Sequence, residues 1–228
     1  MKHRGLKIAF VSSVTVLLII VFIVFIRKMP ETDAGGQNGN RETQASSIGK
    51  NTVIDPFLTS DAIAVDYLTP NDYSRPGKPL NQVNAVVIHY VGNPGTTAAQ
   101  NRSYFEGLKD NHATSASSHY IIGLDGEIIQ CVPLDEISYA SNDRNKDTIS
   151  IECCHPDASG KFRPETYRSL VKLTAALCRT YGLSPDSGVI RHYDVTGKRC
   201  PLYYVDHEEE WYEFKLDVKN EINGQKDW

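Results

Sequence analysis

The pattern of apolar and polar positions divides the chain into three stretches. Residues Ile8 to Ile26 carry no charge over 19 positions. At about 1.5 Å of rise per residue a helix of that length spans roughly 30 Å, the thickness of a bilayer's hydrocarbon core. A membrane-spanning anchor is therefore expected over 8–26, behind a short N-terminal segment 1–7. A cleaved signal peptide is the competing reading. Its apolar region is about 7–15 residues and ends at a small-residue cleavage site, whereas this run is longer and meets Arg27-Lys28-Met29-Pro30. Lys2, Arg4 and Lys7 precede the run, against Arg27 and Lys28 after it. The positive-inside bias thus favours a cytoplasmic N-terminus and an extracellular C-terminal domain, on the cell-wall side of the membrane. Residues 27–52 are rich in Gly, Asn, Gln, Ser and Thr with little to bury, the composition of a flexible linker.

From 53 to 228 the pattern changes to alternating strand and helix signals. Ala85 to Tyr90 is a continuous apolar run of strand length, the mark of a strand buried on both faces. Thr97 to Lys109 reads as a helix. Ser118–Gly123 and Glu127–Val132 flank Leu124-Asp125-Gly126, a hairpin signal. Thr148 to Cys154 alternates, placing Ile149, Ile151 and Cys153 on one face and Ser150, Glu152 and Cys154 on the other. Pro164 to Tyr181 is the clearest helix, with Pro164 suited to its first turn and Gly182 to its end. Leu170, Leu173, Leu177, Cys178 and Tyr181 form its apolar stripe. Gly188–Arg191 is a short strand that delivers His192, and Glu208–Ile222 is a final helix. There are no internal repeats. The expectation is an α/β domain: a mixed central β-sheet flanked by helices.

Charge narrows the partners. Beyond the apolar span the chain has 21 Lys and Arg against 28 Asp and Glu. No basic patch with interleaved aromatics is present, so nucleic acid is excluded as a partner. An acidic domain gains nothing from electrostatic attraction to an anionic cell wall, and a membrane tether supplies local concentration instead. The five cysteines are Cys131, Cys153, Cys154, Cys178 and Cys200. An extracellular site permits disulfides without revealing their pairing. Adjacent Cys153 and Cys154 point to opposite faces. Cys178 reads as packing, although a Cys153–Cys178 bond is conceivable.

The candidate chemistry lies in three residues. His89 closes the run Asn84-Ala-Val-Val-Ile-His89, and His192 and Cys200 stand eight residues apart ahead of Pro201. Two imidazoles and a thiolate make three of the four ligands of a tetrahedral zinc, leaving one position for water. By spacing alone this pattern is weak, because a His after a strand is more often structural.

Four ordered motifs strengthen it: Val86-Val-Ile-His89, Ser117-Ser-His-Tyr-Ile-Ile-Gly-Leu-Asp-Gly126, Ile149-Ser-Ile-Glu152, and Arg191-His192 through Gly197-Lys-Arg-Cys-Pro201. Together, over roughly residues 81–204, they resemble the zinc-dependent N-acetylmuramoyl-L-alanine amidases of the phage-lysozyme and peptidoglycan-recognition superfamily. The autolysin and endolysin branch is the nearest. The resemblance implies Zn2+ held by His89, His192 and Cys200, and peptidoglycan as the substrate, cut between N-acetylmuramic acid and L-alanine. It implies Glu152 as the catalytic general base and Lys198 as the cation that stabilises the developing oxyanion. Arg199 is expected to face solvent or a stem peptide. The chain departs from the pattern twice. The phage lysozyme has a catalytic Tyr where this chain has Ser118, which shifts the chemistry to Glu152. A His found in many relatives near Ile137-Ser-Tyr-Ala-Ser141 is replaced by Ala140 or Ser141. His119 is left between a role behind the site, a substrate contact and a buried strand position. His112, His155 and His207 match no motif.

Two other functions fit parts of the pattern. A peptidoglycan-binding module of the same fold needs no catalysis, but its non-catalytic relatives typically lack the Cys ligand, present here as Cys200. A cysteine hydrolase with Cys200 as nucleophile needs no metal.

Overall fold

A computed structural model describes residues 52–225. The expected segment 1–7, the span 8–26 and nearly all of the linker 27–52 lie outside the described residues. Among the described residues no helix is long and apolar enough to cross a membrane.

Six strands form one sheet: β1 (Ile63–Val65), β2 (Ala85–Tyr90), β3 (Tyr120–Ile122), β4 (Ile128–Gln130), β5 (Thr148–Cys153) and β6 (Val189–Arg191). Their spatial order is β1-β4-β3-β5-β2-β6. β3 and β4 are the antiparallel hairpin expected around Asp125-Gly126, and every other neighbouring pair is parallel. The mixed α/β architecture matches expectation, as does the burial of β2 on both faces. β1 is an addition the sequence did not signal. It is three residues long and two of its side chains are exposed, too little for a periodic pattern.

The helices are α1 (Ala98–Asn111), α2 (Pro164–Tyr181), α3 (Pro185–Gly188), α4 (His192–Thr196), α5 (Leu202–Asp206) and α6 (Glu208–Ile222). Thr97 opens α1 with a reciprocal cap. Its hydroxyl accepts from the Gln100 backbone N–H at 3.2 Å, and the Gln100 side chain accepts from the Thr97 N–H at 2.9 Å. Gly182, at φ 64°, ends α2 in the left-handed region as its sequence position suggested. The stretch from His192 to Cys200 begins with the single turn α4. The Asp194 carboxylate accepts from the Arg191 backbone N–H at 2.8 Å and stabilises that turn, and Gly197 at φ 77° ends it.

The two faces of the sheet are covered unequally. On one face α2 packs against α6. Leu170, Leu173 and Leu177 of α2, with Trp211, Phe214 and Val218 of α6, bury Val86, Ile88, Ile149 and Ile151. On the other face α1 packs over β3 and β4 through Phe105 and Leu108. The β5 and β2 portion of that face lacks α1 above it, and there the polar residues emerge. All five cysteines are free thiols and all are buried. The conceivable Cys153–Cys178 bond is not formed, and both residues belong to the same apolar core.

Candidate metal centre

Parallel strands deliver the site in register. His89 of β2 stands opposite Glu152 of β5, and Ile88 stands opposite Arg191 of β6. His192 therefore follows directly beyond the end of β6, beside His89. Three adjacent parallel strands place an imidazole, a carboxylate and a second imidazole at their C-terminal ends, where sites gather in such sheets. Cys200 arrives from the far end of the α4 turn, and the Tyr193 backbone N–H donates to its carbonyl at 2.9 Å.

The ligating atoms of His89, His192 and Cys200 lie within 4.8 Å of one another. The two imidazole centroids are 4.7 Å apart, tilted by 59°. Cys200 Sγ is 3.8 Å from His89 Nδ1. All three residues are buried, at 1%, 7% and 2% exposure. The three residues named from sequence thus converge, although they come from segments more than a hundred positions apart.

The arrangement suits a cation. His192 Nδ1 is buried with no hydrogen-bond partner, and leaving such a group unpaired costs about 1–3 kcal/mol. A metal ion at the cluster removes that cost. Burial holds His89 well below the usual imidazole range, and the neighbouring His192 and Lys198 charges push the same way. Burial also lowers His192, with Lys198 adding to it. Both rings are therefore neutral at physiological pH, the form that ligates metal. Burial, followed by the negative charge of Glu152, pushes the Cys200 thiol up to about 12. That is the reverse of what activates a cysteine nucleophile, so the cysteine-hydrolase reading loses its support.

Glu152 Oε1 lies 3.9 Å from His89 Nδ1, facing the cluster, and its Oε2 is buried without a partner. Burial pushes its carboxyl up to about 8, opposed by the positive Lys198. Lys198 lines the same cleft, which holds about 620 Å³. Arg199 does not enter it and pairs with Asp206 at the surface.

His119 is a buried structural residue. Its Nδ1 accepts from the Ser150 backbone N–H at 3.1 Å, and its Nε2 donates to the Glu136 carbonyl at 2.9 Å. Ser118, in the place of the phage enzyme's Tyr, is fully buried and its hydroxyl donates to the Tyr120 carbonyl. The sequence reading overlooked the residues behind the imidazoles. Ser141 Oγ is 3.2 Å from His89 Nε2, and Asn142 Oδ1 is 3.1 Å from His192 Nε2. The only signal for them was the departure noted at Ala140 and Ser141.

Fold and cluster define an α/β domain with a His–His–Cys cluster that could hold a metal ion and a half-buried carboxylate at the ends of its parallel strands. A family model described as N-acetylmuramoyl-L-alanine amidase matches residues 79–202, more than half of the chain. The chain belongs to that family. It is similar to the N-acetylmuramoyl-L-alanine amidase BlyA of Bacillus subtilis (strain 168), 31% identical over 179 residues, which cover 70% of this chain and 47% of the relative. It is also similar to a probable N-acetylmuramoyl-L-alanine amidase of Bacillus licheniformis, 35% identical over 152 residues, with 61% and 42% covered. The chain spans about half the length of these curated relatives. A solved mutant endolysin from Bacillus subtilis superposes with a TM-score of 0.58 at 26% identity, covering 68% of this chain and 97% of that one.

Proposed function

We propose that this protein is a zinc-dependent N-acetylmuramoyl-L-alanine amidase that hydrolyses the amide between N-acetylmuramic acid and L-alanine in peptidoglycan. The observation that carries the proposal is the buried His89–His192–Cys200 cluster with Glu152 facing it from the neighbouring strand. His89, His192 and Cys200 would hold Zn2+. Bound there, zinc supplies a Lewis acid that polarises the scissile carbonyl and makes water a stronger nucleophile.

The remaining work falls to the chain itself. The Glu152 carboxylate takes the proton of the attacking water and returns it to the leaving amine. Its burial holds the carboxyl near neutrality, where both transfers are feasible. Lys198, lining the cleft, places a cation where the oxyanion develops. The cleft floor is the open β5–β2 portion of the sheet, and Phe105 of α1 closes one side. A muramyl peptide laid across it brings its amide to the strand ends.

The apolar run 8–26 supports a single-pass membrane anchor, and the polar stretch 27–52 supports a tether holding the domain on the cell-wall side. Protease treatment of intact cells tests this: removal of the domain from outside is expected, and full protection overturns it.

The function is tested on the full chain with purified peptidoglycan. Release of free L-alanine amino termini, loss of that release on chelation and its return with added Zn2+ are expected. Hydrolysis that persists in metal-free protein overturns the zinc reading. Bound zinc without release of termini favours a binding module.

A further inference from the structure

We infer that Ser141 and Asn142 are positioning residues that orient both ligand imidazoles, with each Nδ1 turned to the metal. The inference rests on the zinc reading above and deepens it.

The two residues are consecutive, and each reaches a different ring. Asn142 Oδ1 is 3.1 Å from His192 Nε2. An amide oxygen only accepts, so Nε2 carries the hydrogen and Nδ1 the lone pair. That Nδ1 is the buried atom with no partner. Ser141 Oγ, fully buried, is 3.2 Å from His89 Nε2. The opposite nitrogen, Nδ1, faces Cys200 Sγ at 3.8 Å and Glu152 Oε1 at 3.9 Å. Both rings thus turn their outer nitrogens to one dipeptide and their inner nitrogens to the cluster.

The dipeptide is itself held in place. Asn145 Oδ1 accepts from the Ala140 N–H at 3.0 Å and from the Ser141 N–H at 2.6 Å. The Arg144 N–H donates to the Ser141 carbonyl at 3.0 Å, and the Thr148 hydroxyl donates to the Arg144 carbonyl at 2.7 Å, which ties the turn to the start of β5.

Asn142 sits at φ 52°, a left-handed conformation that Asn tolerates better than most side chains and that glycine adopts without steric cost. Outer partners of ligating imidazoles raise metal affinity by about 10–100-fold.

The substitution Asn142→Gly separates the two roles. It relieves the backbone and deletes the acceptor, whereas Asn142→Asp keeps an acceptor oxygen. Zinc affinity of the full chain is measured by competition with a chromogenic chelator, and thermal unfolding of each metal-free variant reports its folding. Asn142→Gly and Ser141→Ala are each expected to bind zinc about 10–100-fold more weakly than wild type, with metal-free unfolding at or above the wild-type temperature for Asn142→Gly. Asn142→Asp is expected to restore the affinity. Wild-type affinity in Asn142→Gly and Ser141→Ala overturns the inference while leaving the zinc reading intact. So does a loss in Asn142→Gly that Asn142→Asp fails to restore. A wild-type chain that takes up no zinc overturns the reading beneath it.

Discussion

Glu152 and Lys198 face the same cleft, but their environments differ. Glu152 is recessed, its Oε2 fully enclosed, and burial makes its carboxyl reluctant to ionise. Lys198 is exposed on the loop before Cys200 and can swing toward charge as it forms. The substitution Glu152→Gln keeps shape and volume and removes the carboxylate proposed to carry the proton. It is expected to lower kcat by roughly 10²–10⁴-fold with zinc content by elemental analysis unchanged. Retained turnover would remove Glu152 from the mechanism. Lys198→Met removes only the cation. A loss of kcat on the order of tenfold or more with KM little changed marks a group that acts on the transition state. A rise in KM alone would make Lys198 a substrate contact instead. At this scale the sequence was most legible where a residue type is rare in its setting. A His ending an apolar strand and a Cys before Pro attract notice. Ser141 and Asn142 look like ordinary turn residues, and only their distances to two rings give them a role.

At the scale of elements, the site is a product of strand register. The pairing of His89 with Glu152 holds only because β2 and β5 run parallel with Ala85 opposite Thr148. A one-residue slip would turn Glu152 into the core that α2 covers. α2 maintains that register from behind. Leu173 is fully buried beneath it, and Leu173→Ala is expected to cost about 2–5 kcal/mol of unfolding free energy by urea titration. Zinc affinity should stay within a few-fold of wild type, because Leu173 packs on the face opposite the ligands. A large loss of affinity at unchanged stability would contradict the view of α2 as a support. α2 was readable to its ends because its apolar stripe, Pro164 and Gly182 are local signals, and α6 was read with the same bounds. β1 and α4 were not. Each is too short for periodicity, and α4 depends on the Asp194–Arg191 contact.

At the scale of the whole molecule, stability is expected to follow both metal and pH. Zinc that binds only the folded chain stabilises it by about 2.7 kcal/mol at a hundredfold excess over Kd, so a chelator should lower the Tm. A Tm indifferent to both chelator and zinc would argue against a site preformed by folding. His119 gives a second dependence, away from the cluster. Burial presses its pKa from 6.5 to about 4. The unfolded chain therefore binds a proton between those values that the folded chain refuses. Stability contributed by neutral His119 is intact above pH 6.5 and is lost as pH falls toward 4. Between pH 6.5 and 5 the loss is about 2 kcal/mol. Urea unfolding of metal-free protein at those two pH values should show a drop about that much smaller in His119→Gln than in wild type. Equal drops would mean that the His119 site tolerates charge.

The sequence by itself determined the α/β class, the long helices, the central hairpin and the three residues that gather as a candidate metal site. Each is written in local periodicity, in turn chemistry or in a motif short enough to read along the chain. Tertiary structure decided which ring nitrogen faces inward, that Glu152 is half-buried beside His89, and that α1 leaves the β5–β2 portion of one face open as a cleft. Those features arise between segments distant in the chain, where burial, register and a shared hydrogen bond exist only once the strands have come together.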